Sequence, residues 1–290
     1  MDLPTVIRYA QIVEKTYGVP PASLANAAGQ AFTVAWGSSP AVEYAVITTI
    51  YANDLATDIR PERGKLRVSI GMVLQNTTSG EAVIAIRGTE GIYEWLQDAA
   101  FLYVPCPIHG GAGLTDDGFT AMYKSFTILP DPGSPLLVAA LPTLPWRVPV
   151  TSVTVCGHSL GGALATLTAF DVAANTKLPK PRSFTYASPR TGDATFASAY
   201  NRTVPATCRV VNRMDLVPQT PPRAALRTCG RGDGDQSDRP RAAPQGACTH
   251  RSDLRAHPHQ LPPHPHPRGG RTRLAPGSDM HAAGVKAPRR

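Results

Sequence analysis

Residues 152–175 read SVTVCGHSLGGALATLTAFDVAAN. The alternating Val and Thr at the start predict a strand, and the small and apolar residues of the second half predict a helix. The turn between them matches G-x-S-x-G, in which Gly157 and Gly161 supply the small residues that a sharp strand-to-helix turn needs. A chance match is the alternative, but the flanking strand and helix argue against it. The stretch therefore predicts Ser159 as a nucleophile at the edge of a sheet.

The same turn predicts donors for a developing negative charge. The backbone N–H of Leu160, at the start of the helix, is expected to donate one hydrogen bond to an oxyanion. A second donor is expected from the loop after an earlier strand, and RGTE at 87–90 follows the apolar run EAVIAIR. Thr89 would offer its backbone N–H there, although the segment alone could also be an ordinary turn.

The remaining patterns predict an α/β fold, with helices flanking a largely parallel central sheet. One helix is expected over 5–16, and a longer one from a cap at 38–40 to about Asp58. The proline-rich segment 130–149 is predicted to be a surface loop. Strands are predicted over 66–75 and 81–87, which form a hairpin, and over 152–156, 182–187 and 207–212.

Charge divides the chain into two parts. Residues 1–222 carry 16 basic and 16 acidic side chains, whereas residues 223–290 carry 13 basic and 5 acidic ones, so the net charge of +8 belongs to the tail. The tail has no aromatic residue and is rich in Arg, Pro and His. It cannot bury enough apolar surface to offset its chain entropy, which predicts disorder. The predicted domains are therefore a folded unit, 1–222, and a disordered tail, 223–290.

The cysteines and the N-terminus bear on location. Five scattered cysteines form neither a disulfide framework nor a metal-ligand pair, so no metal site is expected. No apolar run reaches the roughly 20 residues of a membrane helix. The first residues lack the pattern of a signal peptide, which favours a cytoplasmic location.

Several segments in order make the chain resemble the class 3 lipase family, whose best-known members are fungal. They are RGTEGIYEWLQDAAF (87–101), TDDGFTAMY (115–123), VTVCGHSLGGALATLTA (153–169) and NRMDLVP (212–218). The resemblance implies an α/β-hydrolase fold that hydrolyses acylglycerols or similar esters without a cofactor. It supports Thr89 as an oxyanion residue and implies that 90–95 lies in or near a lid. Trp95 would then contact lipid, with a core aromatic as the alternative.

The acid of a Ser-Asp-His triad should follow the serine in this fold. Asp171 lies in the helix after the nucleophile and Asp193 in a predicted turn. Asp215 follows the last predicted strand, at the edge where α/β sites assemble, and the resemblance puts the acid there too. It is our candidate for the acid, with a capping aspartate as the alternative.

The triad base is missing from the sequence. His109 precedes the nucleophile, and the side chain of His158 should point away from the attacking oxygen. The family has a Tyr-x-His-type motif shortly after Asp-x-Val-Pro, but here the next histidine is His250, inside the tail.

A change of reading frame would account for both the tail and the missing base. If residues 225–230 are encoded by GCC CTA CGA ACA TGT GG, the frame one base on reads Pro-Tyr-Glu-His-Val, the motif that the resemblance leads one to expect. We therefore interpret residues from about 223 onward as frameshifted.

Three functional readings follow. The first is a lipase or esterase acting on a lipid or other ester. The second is a defective relative that at most binds acyl ligands. The third takes the tail as a basic arm for nucleic acid or anionic lipid, which the neutral charge of 1–222 disfavours; no nucleic-acid partner is expected.

Overall fold

The computed structural model describes residues 2–17, 28–35, 40–53, 67–88, 102–130, 133–221 and 231–232. Its helices are α1 (Leu3–Tyr17), α2 (Asp117–Lys124), α3 (Leu137–Ala140), α4 (Leu160–Asn175) and α5 (Ala194–Thr203). Its strands are β1 (Ala31–Val34), β2 (Val42–Asn53), β3 (Arg67–Gln75), β4 (Glu81–Ile86), β5 (Tyr103–Pro105), β6 (Leu114–Asp116), β7 (Ser152–His158), β8 (Arg182–Tyr186), β9 (Thr207–Val210) and β10 (Arg231–Gly232). Short 3₁₀ turns cover Leu141–Thr143 and Val217–Gln219.

The central sheet has the order β1-β2-β3-β4-β7-β8-β9-β10. Strands β1 to β4 pair antiparallel, and β4, β7, β8, β9 and β10 pair parallel. The hairpin of β3 and β4 is confirmed. The carboxyl ends of β4, β7, β8 and β9 meet at one edge, where α/β proteins assemble their sites.

Helices cover both faces of this sheet, as predicted. On one face α1 buries Tyr9, Ile12 and Val13 against alternate residues of β4 and β8, such as Val83 and Phe184. Its apolar residues recur at helical spacing, so one side of the helix meets the sheet. The other face packs against α2, α4 and α5, and nearly all of α4 is buried.

The predicted helix from 38–40 to about Asp58 is wrong, because Val42–Asn53 forms strand β2. Its sequence, VEYAVITTIYAN, is rich in β-branched and aromatic residues, which favour a pleated strand over a helix. Most of these side chains are buried, and β2 pairs along its length with β3. The ends of the predicted helix, around 38–39 and Asp58, lie outside the described residues.

Two other predictions need correction. The segment 130–149 is not only a surface loop: α3 and the 3₁₀ turn after it bury Leu137, Leu141 and Leu144 in the core. Apolar side chains inside the proline-rich stretch gain more from burial than from exposure. In the tail, residues 231–232 pair with β9, which its composition did not predict; the rest of the predicted disorder lies outside the described residues.

A buried carboxylate ties together the amino ends of the central strands. Glu81, the first residue of β4, is 6% exposed. Its Oε1 accepts hydrogen bonds from Tyr9 of α1 at 2.5 Å, Thr154 of β7 at 2.7 Å and Arg182 of β8 at 2.9 Å. Tyr44 of β2 donates to Oε2 at 3.3 Å. One side chain therefore links the helix to four strands.

We expect Glu81→Ala to lower the free energy of unfolding by about 3 kcal/mol, because it leaves several buried donors without an acceptor. Urea denaturation followed by circular dichroism measures the change. Glu43→Ala, on an exposed position of the neighbouring strand β2, is the control and should change stability by less than about 0.5 kcal/mol. Equal effects of the two variants would contradict the role given to Glu81.

Asp116 is a second buried carboxylate, at the N-cap of α2. Its Oδ1 accepts the Phe119 N–H at 3.1 Å, and burial raises the pKa of Asp116 to about 6. Because the folded state holds this proton more tightly than the unfolded chain, the group favours folding below about pH 4. That contribution is lost as the pH rises through about 6.

We expect Asp116→Asn to be more stable than the wild type by about 2 kcal/mol at pH 7.5 and equal to it at pH 4, since asparagine keeps the acceptor without the charge. Urea unfolding at the two pH values tests this. The adjacent Asp117→Asn, at an exposed position, is the control and should show no such difference. An advantage of Asp116→Asn that is the same at both pH values would refute the assignment.

Candidate active site

The backbone of Ser159 forms a sharp elbow between β7 and α4. Its dihedral angles are φ 55° and ψ −128°, a conformation that non-glycine residues rarely adopt. Such a backbone costs on the order of 1–3 kcal/mol and persists only where surrounding contacts enforce it. The main chain is fixed by the Ser159 N–H, which donates to the Tyr186 carbonyl at 2.8 Å, and by the Ser159 carbonyl, which accepts the Gly162 N–H at 2.8 Å.

Three glycines allow the start of α4 to pack closely against β7, the end of β4 and the turn after β8. A Cβ on Gly157 would lie 2.1 Å from the carbonyl oxygen of Gly161, and one on Gly161 would lie 2.4 Å from that of Ile86. A Cβ on Gly162 would lie 2.6 Å from the Cβ of Ser188. Gly157 and Gly161 were expected from the motif, but the contact of Gly162 depends on the turn after β8, which the motif does not contain.

The hydroxyl of Ser159 is buried and has no hydrogen-bond partner within the described part of the chain. The residue is 4% exposed. A buried hydroxyl without a partner is unusual in a folded protein, because it forfeits hydrogen bonds to water. Strain and an unpaired polar group at one residue are typical of a site held ready for a reaction.

The end of β4 meets this elbow from the side. A Cβ on Gly88 would lie 3.1 Å from the Cβ of Ser159 and 3.0 Å from the carbonyl oxygen of His158. Leu160, at the first position of α4, is buried beside the elbow. The two segments predicted to supply oxyanion donors therefore converge, although Thr89 itself lies outside the described residues. The lid candidate Trp95 lies outside them as well.

The first residue of this loop also contacts α1. The hydroxyl of Tyr17, the last residue of α1, accepts the Gly88 N–H at 2.6 Å and lies 2.8 Å from Nδ1 of His158. The two rings meet edge to face, with centroids 5.9 Å apart. Burial raises the pKa of the Tyr17 phenol, so the hydroxyl keeps its proton. Sequence reasoning missed Tyr17, because the contact joins residues 71 positions apart.

Asp215 lies in the loop after β9. Its Oδ1 accepts the Val217 N–H at 3.0 Å, and its N–H donates to the Asn212 carbonyl at 3.0 Å. Partial burial lowers the pKa of His158, while the Asp215 carboxylate acts in the opposite direction. The charge of the acid candidate therefore acts on the residue that precedes the nucleophile.

The other two carboxylates considered from the sequence have structural partners. Asp193 caps α5 by accepting the Phe196 N–H at 2.7 Å. Asp171 accepts hydrogen bonds from Tyr123 and from Asn175. Asp193 thus stabilises the start of its own helix and Asp171 links α4 to α2, which leaves Asp215 as the candidate acid of the three.

Two buried arginines hold the Asp215 loop to the turn after β8. Arg209 donates to the carbonyls of Ser188 at 2.6 Å and Pro218 at 3.2 Å. Arg190 donates to the carbonyls of Gln219 and Pro221. Sequence reasoning missed both, since neither belongs to a motif that indicates a contact with backbone carbonyls.

Two histidines, His109 and His158, lie in the part of the chain that the structure describes. His109 is exposed in the turn before β6, where its carbonyl accepts the Ala112 N–H. His158 contacts Tyr17 rather than the Ser159 hydroxyl. The described residues thus contain no histidine bonded to the nucleophile. They also contain no group of His, Cys, Asp or Glu side chains that could hold a metal ion.

Comparison with known proteins places this geometry in a family. The family described as "Lipase (class 3)" matches residues 83–225, which include most of β4, the elbow and Asp215. Over these residues the chain matches the class 3 lipase family. The resemblance read from the sequence is thereby confirmed, as is the α/β-hydrolase fold.

Curated relatives of this chain come from a plant and from fungi. Phospholipase A1-II 3 of Oryza sativa subsp. indica is 32% identical over 191 residues, which are 58% of this chain and 45% of the relative. Secreted mono- and diacylglycerol lipase A of Penicillium cyclopium is 27% identical over 197 residues, 67% of this chain and 57% of the relative. The chain spans roughly half to two thirds of the length of the curated relatives it matches.

A solved triacylglycerol lipase, whose catalytic centre is described as a serine protease triad, shares the fold. It is 24% identical, with a TM-score of 0.54, and the match covers 80% of each chain. Among the described residues, no helix of this chain has the length and apolar character of a membrane span.

The strain at Ser159 makes an unusual prediction about stability. We expect Ser159→Gly to be more stable than Ser159→Ala by about 1 kcal/mol, because glycine adopts positive φ without a steric cost. Urea unfolding of both variants measures the difference. The same pair at Ser183, buried inside strand β8, is the control, where Ala should be the more stable. A more stable Ala variant at position 159 would argue against backbone strain at the elbow.

Proposed function

We propose that the protein is a serine hydrolase of carboxylic esters, with acylglycerols or related glycerolipids as substrates. The observation that carries the proposal is the positive-φ Ser159, whose buried hydroxyl has no partner among the described residues and whose Cβ lies beside Gly88. The names of its relatives, phospholipase A1 and mono- and diacylglycerol lipase, support an acyl ester of glycerol as the substrate class. A lipid–water interface is the expected setting; the cytoplasmic location stays a prediction.

The proposed mechanism has two steps. The Ser159 Oγ attacks the ester carbonyl carbon, and a base takes the hydroxyl proton. The tetrahedral oxyanion accepts hydrogen bonds from the N–H groups of Leu160 and Thr89, and its collapse releases the alcohol and leaves an acyl group on Ser159. Water then hydrolyses the acyl-enzyme. Asp215 would hold the base in the correct tautomer and balance its charge.

The base of this mechanism has no candidate bonded to Ser159 among the described residues. We propose that it is encoded in the alternative frame, at the codon of Thr228, and that 223–290 is a frameshifted tail. Support comes from the change of composition at 223 and from the match to the family, which ends at 225. The boundary between 1–222 and 223–290 stays a prediction.

A second candidate function is that of a defective relative that binds acyl ligands without hydrolysing them. It is favoured by the absence, within the described residues, of any histidine bonded to Ser159. Loss of one triad member leaves only the weak catalysis that the oxyanion hole and binding provide. The two candidates therefore predict different rates for the same Ser159.

We expect restoration of the alternative frame from about codon 223 to raise turnover of p-nitrophenyl butyrate by at least about 10³-fold, because it returns the triad base. The measurement is kcat/KM for the printed chain and for the restored chain. Ser159→Ala in the restored chain is the control and should abolish the gain.

Equal turnover by the two chains would count against the frameshift. The nucleotide sequence tests it independently: the reconstruction requires CTA or TTA as the codon of Leu226, and any other leucine codon would falsify it. Full activity of Ser159→Ala would show that Ser159 is not the nucleophile.

A further inference from the structure

Tyr17, the C-terminal residue of α1, contacts both the loop after β4 and the residue that precedes the nucleophile. The Tyr17 hydroxyl is bonded to the Gly88 N–H, on the loop after β4, and to the imidazole of His158, which precedes the nucleophile. A phenol oxygen can accept and donate at once. Because it accepts the Gly88 N–H, its own proton can be donated to Nδ1, so a single hydroxyl can join the two segments.

Helix α1 contacts the two ends of strand β4. Near its middle, Tyr9 donates to Glu81 at the start of the strand. At its end, Tyr17 accepts from Gly88, just beyond the strand. About two turns of helix separate these tyrosines, a rigid distance of roughly 12 Å. The position of the Tyr17 hydroxyl is therefore set by the packing of α1 on the sheet rather than by a surface loop.

The surroundings of Gly88 leave its backbone little freedom. A Cβ there would lie 2.8 Å from the Tyr17 hydroxyl and 3.1 Å from the Cβ of Ser159, so only glycine fits between them. The Gly88 N–H is committed to Tyr17 and is not available to an oxyanion. The next N–H along the chain is that of Thr89, the donor predicted from the sequence.

We propose that Tyr17 is a positioning residue, which holds the backbone of Gly88 against Ser159 before a substrate binds. It touches no reacting atom and acts through Gly88. The inference rests on the proposed function, because an oxyanion loop has a purpose only if Ser159 is a nucleophile. A preorganised donor spares the reaction the cost of ordering the loop in the transition state.

The test compares Tyr17→Phe with Tyr44→Phe in the full chain. Tyr44 is the matched control, since it is also a tyrosine whose hydroxyl has a buried partner, but that partner is Glu81 at the opposite end of the sheet. The first measurement is hydrogen exchange of the Gly88 amide by NMR. The second is phosphonylation of Ser159 by a p-nitrophenyl alkylphosphonate, resolved into the inactivation rate constant and the inhibitor affinity.

In Tyr17→Phe we expect the Gly88 amide to exchange at least about tenfold faster, since its acceptor is gone. We expect phosphonylation to slow by about tenfold through the rate constant, with the inhibitor affinity unchanged. Tyr44→Phe should change neither quantity. An unchanged Gly88 amide in Tyr17→Phe would overturn the proposal, and so would an unchanged phosphonylation rate constant.

The two proposals fail separately. If neither the wild type nor the frame-restored chain is phosphonylated, the nucleophile proposal fails. If only the frame-restored chain is phosphonylated, the lost base accounts for the difference. In both cases the Gly88 amide alone decides whether Tyr17 fixes the loop. If Tyr17→Phe does not fold, hydrogen exchange of the Gly88 amide in the wild type supplies the test. A protected Gly88 amide at that position, outside any strand, supports the bond to Tyr17, and an unprotected one overturns it.

Discussion

The positive φ of Ser159 is the constraint on which the rest of the site depends. A serine keeps this backbone only if the start of α4 lies very close to β7 and to the end of β4. This approach excludes a Cβ at Gly157, which meets the Gly161 carbonyl, and at Gly161, which meets the Ile86 carbonyl. Close approach also buries the start of α4, where the Leu160 N–H lies beside the serine. The strained residue, the buried hydroxyl and the candidate oxyanion donor are thus one consequence of a short distance between strand and helix.

Strain at one edge of a sheet must be held by contacts elsewhere. Glu81 joins the amino ends of β4, β7 and β8 through hydrogen bonds to Thr154 and Arg182, so the strands keep a fixed register. Their carboxyl ends then arrive together. Ala187, after β8, also has positive φ, and its N–H donates to the Val210 carbonyl of β9. The buried carboxylate of Glu81 at one end of the sheet thus fixes the strands whose other ends carry the strained turns.

The parts of the site that depend on short-range constraints could be predicted from the sequence. G-x-S-x-G between a strand and a helix predicts the sharp turn found at Ser159. The position of Asp215 in the loop after β9 was also predicted, whereas its role as the acid stays a prediction. Strand β2 was predicted as a helix, because apolar residues between Val42 and Ile50 fit both periods and the β-branched residues were given too little weight. Tyr17 could not be predicted, since its role depends on where α1 lies on the sheet.

The absence, within the described residues, of a histidine bonded to Ser159 bears differently on folding and on catalysis. The contacts that hold Ser159 come from Tyr186 and from the glycines of the elbow, and Arg190 and Arg209 fix the Asp215 loop from the turn after β8. All of these residues precede the change of composition at 223. The elbow and the Asp215 loop can therefore form without a triad histidine. The backbone strain at Ser159 is then still present, but it no longer serves catalysis. A class 3 lipase domain that has lost its base would keep an intact nucleophile elbow, so the presence of that elbow says more about ancestry and folding than about turnover.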